Sequence, residues 1–333
     1  MNYRLLALLF TCISGQLYAQ LLPTFGNSRT GGSGMQFLKI PNDARSTAMA
    51  GAVAGITNDV SAMFWNPAGI TKCDTGKLNV QLSHTRYYAN SNANFAGLVF
   101  KASKYKFIGV QVQSLNFAAM EETTEWQPYG TGRNVNVNNV MLGLSFAQIL
   151  TDNFSFGING KWAHEGIADV QTNNVLFDLG LSYNIGLMYS RFGVAFSNFG
   201  LNVAPDGSVT ALKLNGESTV NNFTELSAPS VFRIGGALDP IHNNIHILTV
   251  SAQLNHPTDN NETFAVGAEY NYRNLLYGRT GYELGSDEAY GFPTAGFGMQ
   301  LRRSFGNFRF DYGFSNKVRL GNLHRLTLSV CIK

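Results

Sequence analysis

The chain has 333 residues, and only 14% of them are charged, against about 25% in ordinary soluble domains. Its 24 Lys and Arg and 21 Asp and Glu leave a net charge of +3, too small and too scattered for a nucleic-acid binder. Gly (35), Phe (24) and Tyr (14) are abundant, and no uninterrupted apolar run is long enough for a spanning helix, which needs roughly 18 residues; the balance excludes a cytosolic enzyme, a helical membrane protein and a disordered chain, and fits a large β-barrel.

Residues 1–19 read as a secretory signal. Arg4 supplies the positive start, Leu5 to Phe10 the apolar core, and Ala19 the small residue at a cleavage point before Gln20. Cys12 lacks the small residues that precede a lipidated cysteine. Beyond the signal only Cys73 and Cys331 remain, which is no disulfide framework. Two free thiols are expected, with a bridge between them left open.

Residues 20–76 differ from the rest. Gly31-Gly32-Ser33-Gly34 leads to Phe37-Leu38-Lys39-Ile40-Pro41-Asn42-Asp43-Ala44-Arg45, then to a small-residue run from Ala48 to Gly55. Asn58 or Asp59 is placed to cap a short helix from Val60 to Trp65, which Pro67 would end. Small residues suit packing in a confined space, so this region is expected to be a compact N-terminal plug.

From residue 77 to the end the hydrophobic period is two. Fourteen segments of about ten residues alternate apolar and polar. They are Lys77–Thr85, Ala93–Ala102, Lys106–Phe117, Asn139–Leu150, Phe154–His164, Asn174–Ile185, Met188–Gly200, Ser230–Leu238, Ile245–Leu254, Thr263–Tyr272, Leu275–Gly285, Phe292–Arg303, Phe308–Ser315 and Leu323–Ile332. Several have one wholly apolar face, such as Phe308, Phe310, Tyr312 and Phe314. The opposite faces are small and sparsely charged, which suits a lumen better than bulk water. Strands in hydrocarbon cannot leave an edge unpaired, so the sheet must close. The fold class expected is an all-β, 14-stranded antiparallel transmembrane barrel with the plug in its lumen. Tight turns are expected at 151–153 and 273–274, and long loops at 118–134, 165–173 and 201–228.

No catalytic signature or phosphate loop is present, and no enzyme activity or cofactor is expected. His242 and His246 flank a turn and read as exposed histidines, not metal ligands. His164-Glu165 reads as part of a loop. The charges that strand phase turns inward are Lys161, Asp178, Arg191, Arg233, Glu269, Arg279, Arg309, Asp311 and Arg325. Their signs alternate along Lys161, Asp178 and Arg191, along Glu269 and Arg279, and along Asp311 and Arg325. A cross-strand ladder that props the wall and holds the plug is expected, ahead of a permeation path. The loop 119–133, acidic then aromatic, reads as a solvated external loop or a docking surface.

The succession Phe37-Leu38-Lys39-Ile40, Asp43-Ala44-Arg45, Met49-Ala50-Gly51-Ala52, Asn58-Asp59-Val60-Ser61-Ala62 and Phe64-Trp65-Asn66-Pro67-Ala68-Gly69 resembles the N-terminal region of the PorV/PorQ family, which is related in fold to the FadL-type outer-membrane transporters. The resemblance implies a fourteen-stranded barrel with a lumenal hatch, seated by Arg45, Asp59, Trp65, Asn66, Pro67 and Gly69. It also implies a role in the type IX secretion system. The partners would then be the outer-membrane lipid bilayer, the translocon barrel and secreted proteins with a C-terminal sorting domain. The alternative is a FadL-like channel for hydrophobic small molecules. That reading needs an apolar lining near Met35, Phe37, Met63, Phe64 and Met141, and a lateral exit, for which a bulge at Gly109 is the candidate. A structural barrel without transport and a soluble exported sandwich complete the field.

Overall fold

Period-two alternation is realised as fourteen antiparallel strands in a closed ring. The computed structural model describes residues 31–73, 76–125, 127–213, 216–285, 293–317 and 320–332. The signal at 1–19, the first residues of the plug region, Trp126 and Phe292 lie outside the described residues.

The wall strands are β1 (Leu78–Arg86), β2 (Asn92–Lys101), β3 (Lys106–Asn116), β4 (Val137–Ile149), β5 (Phe154–Ile167), β6 (Val170–Asn184), β7 (Arg191–Gly200), β8 (Val231–His242), β9 (His246–Pro257), β10 (Thr263–Tyr272), β11 (Leu276–Leu284), β12 (Thr294–Arg303), β13 (Gly306–Lys317) and β14 (Gly321–Ile332). Each pairs with its neighbours in sequence, and β1 closes on β14 from Leu78↔Ile332 to Arg86↔His324. Closure removes the sheet edges that hydrocarbon would leave unsatisfied. The outward side chains are exposed and apolar: on β6 they are Val175, Phe177, Leu179, Leu181 and Tyr183. Between them Leu176, Asp178 and Ser182 point inward and are buried. No helix among the described residues is long and apolar enough to cross a membrane; the strands do so.

Connections at one end are short: 102–105, 150–153, 185–190, 243–245, 273–275 and 304–305. The long ones, 117–136 and 201–230, lie at the other end, which marks that end as the outer one. Two small ribbons stiffen them, Met120–Glu121 with Asn134–Val135 and Val209–Lys213 with Gly216–Val220.

Three expectations are corrected. The stretch 165–173 is not a long loop, because β5 runs to Ile167 and β6 starts at Val170. His164 and Glu165 therefore belong to the wall. Gly109 makes no bulge, since its ladders run without a shift on both sides, opposite Val99 and Ser145. The bulge in this part of the wall is in β7, where the register with β6 shifts between Phe177 and Leu179 and Asn198 takes a φ of 59°.

Inside the ring lie residues 33–73. A 3-10 turn (Gln36–Lys39) is followed by α1 (Ala44–Ala48), α2 (Ala62–Trp65) and a second 3-10 segment (Pro67–Lys72). The expected helix from Val60 is shorter at its start, because the Asp59 side chain turns back to the Ser61 N–H. Pro67 both ends α2 and opens the next 3-10 segment, where a missing N–H costs nothing.

Candidate functional site: the plugged lumen

The plug is seated by the absence of side chains as much as by their presence. On β5 and β6, Gly157 and Gly180 face each other across the ladder. A Cβ at either would overlap Pro67, and at Gly180 also Asn66. Gly267 and Gly281 form the same pair on β10 and β11, against Met49 and, at Gly281, also Ala50. Gly296 and Gly313 form a third on β12 and β13, against Ala48 and Ala44. Period two places these glycines inward, in phase with the buried charges. Gly109, expected as a bulge, does related work: it leaves room for the Met63 sulfur.

Polar groups then fix the register of the plug. Asp43 caps α1 through the Ser46 N–H at 2.8 Å and accepts the Trp65 indole N–H at 2.9 Å. Burial, reinforced by Asp59, raises its pKa above the usual carboxylate value. The Trp65 ring lies over Gly51, which has a φ of 79° and leaves no room for a side chain. Asn66 donates to the Ala54 and Leu181 carbonyls at 2.9 and 3.0 Å, tying plug to plug and plug to wall. Gly69 sits against Thr57 and Ala62, where a Cβ would collide. The wall answers with Gln253 Oε1, which accepts from the Val53 and Ala54 N–H groups, and with Gln113 Nε2, which donates to the Phe37 and Ile40 carbonyls.

Arg45 and Asp59 complete a ring of charges. Arg45 makes a two-point contact with Glu269 at 2.9 Å. Glu269 also accepts from Arg279 at 2.6 Å, Arg279 reaches Asp311 at 2.6 Å, and Asp311 binds Arg309 at 2.7 Å. Arg309 returns to Asp59 at 2.5 Å, and Asp59 lies 3.6 Å from Arg45. Three cations and three anions alternate, so the ring is neutral and binds plug to wall at two points. Burial would lower the pKa of Arg45, but Glu269 holds it above its ordinary value. Burial would raise that of Asp59, but Arg309 and then Arg45 hold it below.

The remaining inward charges divide differently from expectation. Lys161 and Asp178 pair at 2.5 Å, and Asp178 also takes the Asn198 N–H of the β7 bulge and the Asn159 amide. Arg191 does not continue that ladder; it binds Asp239 at 2.5 Å, a partner on β8 outside the predicted set. Arg233 is not part of a carboxylate ladder either. It stacks over Phe64 and Trp65 at 5.5 and 5.4 Å and donates to Ser197. The partners of Asp311 are Arg279 and Arg309, whereas Arg325 donates to the hydroxyls of Thr85 and Thr47. Cys73 and Cys331 are both buried. His242 stacks on Tyr189 at 3.7 Å and contacts Asp239, and His246 meets the Tyr270 hydroxyl at 2.6 Å.

The two ends of the lumen differ in chemistry. At the outer end, Ser33 bridges to Ser227 of the long connection, and the Met35 N–H donates to Glu165 at 2.7 Å. Gln36 and Lys39 bind Asp259 at 2.6 and 2.9 Å. Burial acts to raise the pKa of Asp259, and these two donors outweigh it. Beneath them, Met35, Phe37, Leu38 and Ile40 pack with Leu115, Met141 and Leu176 in a buried apolar cluster. Met63 and Phe64, grouped with them by sequence, belong to two other clusters deeper against the wall. At the inner end, a polar vestibule of about 270 Å³ is lined by Arg45, Asp59, Glu269 and Arg309 of the charge ring and by Arg191, Asp239 and Asn79. There Lys72 donates to Ser182 and Asn184 at 2.7 and 2.9 Å, and burial, helped by Arg191, lowers its pKa to about 8.

Sequence reasoning missed Glu165, Asp239, Lys72 and the paired glycines. Strand phase could have found Asp239 and the glycines, since they share the inward parity of the charges already noted. Lys72 lies in the plug and carries no such signal.

No protein-family model matches the chain. A putative outer membrane protein of Neisseria meningitidis serogroup B is 38% identical over 76 residues, which is 22% of this chain and 16% of that protein. The chain is thus matched along only a small part of that relative's length. Among solved structures, the toluene transporter TbuX of Ralstonia pickettii has 12% identity and a TM-score of 0.60, covering 88% of this chain and 98% of that one. A FadL homologue of Pseudomonas aeruginosa has 14% identity and a TM-score of 0.56, covering 87% and 98%. The toluene transporter TodX of Pseudomonas putida has 13% identity and a TM-score of 0.56, covering 86% and 96%. At these identities the likeness is one of fold: the chain is an outer-membrane β-barrel with a FadL-like fold.

Proposed function

We propose that this barrel passes hydrophobic small molecules across the outer membrane. The observation that carries the reading is the apolar cluster in the outer half of the lumen, where plug residues Met35, Phe37, Leu38 and Ile40 meet Leu115, Met141 and Leu176. A hydrophobic solute entering from the outer mouth gains free energy there as it leaves water. The likeness in fold to proteins titled as toluene transporters supports the same reading. The seam beside the cluster is where a lateral exit would lie: β7 is bulged at Asn198 and its ladder with β6 ends at Leu176↔Gly200. Uptake of a labelled monoaromatic hydrocarbon by cells making the protein tests the reading. Wild type should exceed an empty-vector strain, and Leu176→Arg should return uptake to that baseline. Equal uptake in all three strains sinks it.

The second reading, a PorV/PorQ-like component of protein export, is favoured by the packing of the lumen. Residues 33–73 and the neutral charge ring fill the wall-to-wall space, as a sealed docking barrel requires. Gentle purification from native outer membranes separates the two. Recovery of a translocon barrel or of exported proteins sharing a C-terminal domain favours export; recovery of the barrel with hydrophobic small molecules favours transport.

A further inference from the structure

The lipid-facing wall changes character in register across β14, β1, β2 and β3. One cross-strand row is Leu328, Leu82, Ala96 and Val112. Two residues nearer the outer end the row is Leu326, His84, Asn94 and Ser114, and the next is His324, Arg86, Asn92 and Asn116. All twelve side chains share the outward parity of their strands. Strands lie about 4.8 Å apart, so each row is a continuous surface.

Ala96 is the short member of the first row. Leu82 and Val112 on either side stand above it and enclose a furrow of about 420 Å³, rimmed at its outer end by His84, Asn94 and Ser114. The furrow continues towards the membrane centre as a mostly apolar depression of about 890 Å³ that shares Leu82, Ala96 and Val112. There Gly160, with no side chain, extends the depression below the level of Trp162.

A cation stands one row beyond this rim. Arg86 is exposed and has no hydrogen-bond or ion-pair partner among the described residues. His84 uses Nδ1 on Asn94 at 2.8 Å, which leaves its other ring nitrogen open. His324 stands beside Arg86 in the adjacent strand. The outward faces of β13, β14, β1, β2 and β3 carry no Asp or Glu. An unpaired guanidinium beyond the outer end of an apolar slot has the form of a site for a phosphate with attached acyl chains.

We propose that this furrow holds a phosphorylated lipid of the outer leaflet. Its phosphate lies at Arg86 and His84, and an acyl chain runs over Ala96 towards Gly160. The site is on the outside of the wall, so it stands or falls independently of what passes through the lumen. Bulk lipid would contact all apolar faces alike; this furrow differs by its notch and by the guanidinium beyond its rim.

The test is native mass spectrometry of the purified, folded barrel in mild detergent, titrated with bis-phosphorylated lipid A and with the same lipid after dephosphorylation. Heat-modifiable gel mobility checks that each variant is folded. Wild type should retain the phosphorylated form. Arg86→Ala should weaken retention by about ten-fold, the size of one lost charge-assisted contact, and Ala96→Phe, which fills the notch, should weaken it as well. Val266→Phe, on the lipid face of β10, should change nothing. Equal retention of the dephosphorylated lipid, or equal retention by wild type, Arg86→Ala and Ala96→Phe, overturns the proposal.

Discussion

At the scale of single residues, the charge ring makes an unequal prediction for its members. Glu269 accepts from both Arg45 and Arg279. Removing its charge leaves Arg45 with its hydrogen bond to Asn58 Oδ1 and, for an opposite charge, a 3.6 Å contact with Asp59. Breaking a buried pair of this kind costs about 3–5 kcal/mol. Removing Arg45 instead leaves Glu269 with Arg279 and Asp59 with Arg309. Glu269→Gln should therefore lower the unfolding temperature more than Arg45→Met in thermal scans of the purified barrel. The reverse order would mean that the ring does not act as a chain of shared partners. Lys72 gives a pH prediction. Its pKa when folded, about 8, lies below the ordinary lysine value of 10.5. The folded state thus disfavours the charged amine, and the penalty is fully present below pH 8. It is relieved as pH rises from about 8 towards 10.5. The stability of wild type relative to Lys72→Met should rise across that window and stay flat below it.

At the scale of elements, strands and plug are fitted to each other through cross-strand glycine pairs. A β-strand offers alternate residues to each face, so a glycine on the inward phase lowers the wall locally by one side chain. Gly157 with Gly180 receives Asn66-Pro67, and Gly296 with Gly313 receives α1. Gly180→Leu places bulk where Asn66 Oδ1 and the Pro67 ring now lie, and should displace the second 3-10 segment from the wall. Gly278→Leu, at an outward position with open space, should not. Limited proteolysis of the folded barrels reads the difference as cleavage within residues 60–73 in the first variant alone. Protection of that segment in both would refute the seating argument. The same logic explains the misreading of Gly109. A lone glycine in a strand signals either a bulge or a close approach, and only the position of Met63 decides between them.

At the scale of the whole molecule, a ring of fourteen strands is wide enough to require a filling. The filling here is graded from an apolar outer cluster to a polar, charged inner vestibule. Planar-bilayer recordings should show wild type closed to ions. Arg45→Ala with Asp59→Ala, which cuts both plug members out of the ring, should conduct intermittently. A silent double variant would assign closure to the glycine-seated contacts and the outer cluster alone.

Much of this was legible in the sequence, and the reason is geometric. Alternation with period two fixes which face each residue takes, so the inward set from Lys161 to Arg325 follows from parity, while the strand number follows from the turns between segments and closure from the cost of an unpaired edge in hydrocarbon. The ordered motif from Phe37 to Gly69 marked the plug because small residues and helix stops need no distant partner to be recognised. Parity says nothing about which inward residue meets which. Neighbouring strands are staggered, so Arg191 reached Asp239 and not Asp178, and Arg233 found the faces of Phe64 and Trp65. Nor does it show that residues more than 200 apart, Arg45 and Glu269, Asp59 and Arg309, would close one ring. That was settled only by the path of the plug through the lumen, where confinement brings its two charged residues to one level of the wall and makes an unpaired charge too costly to leave.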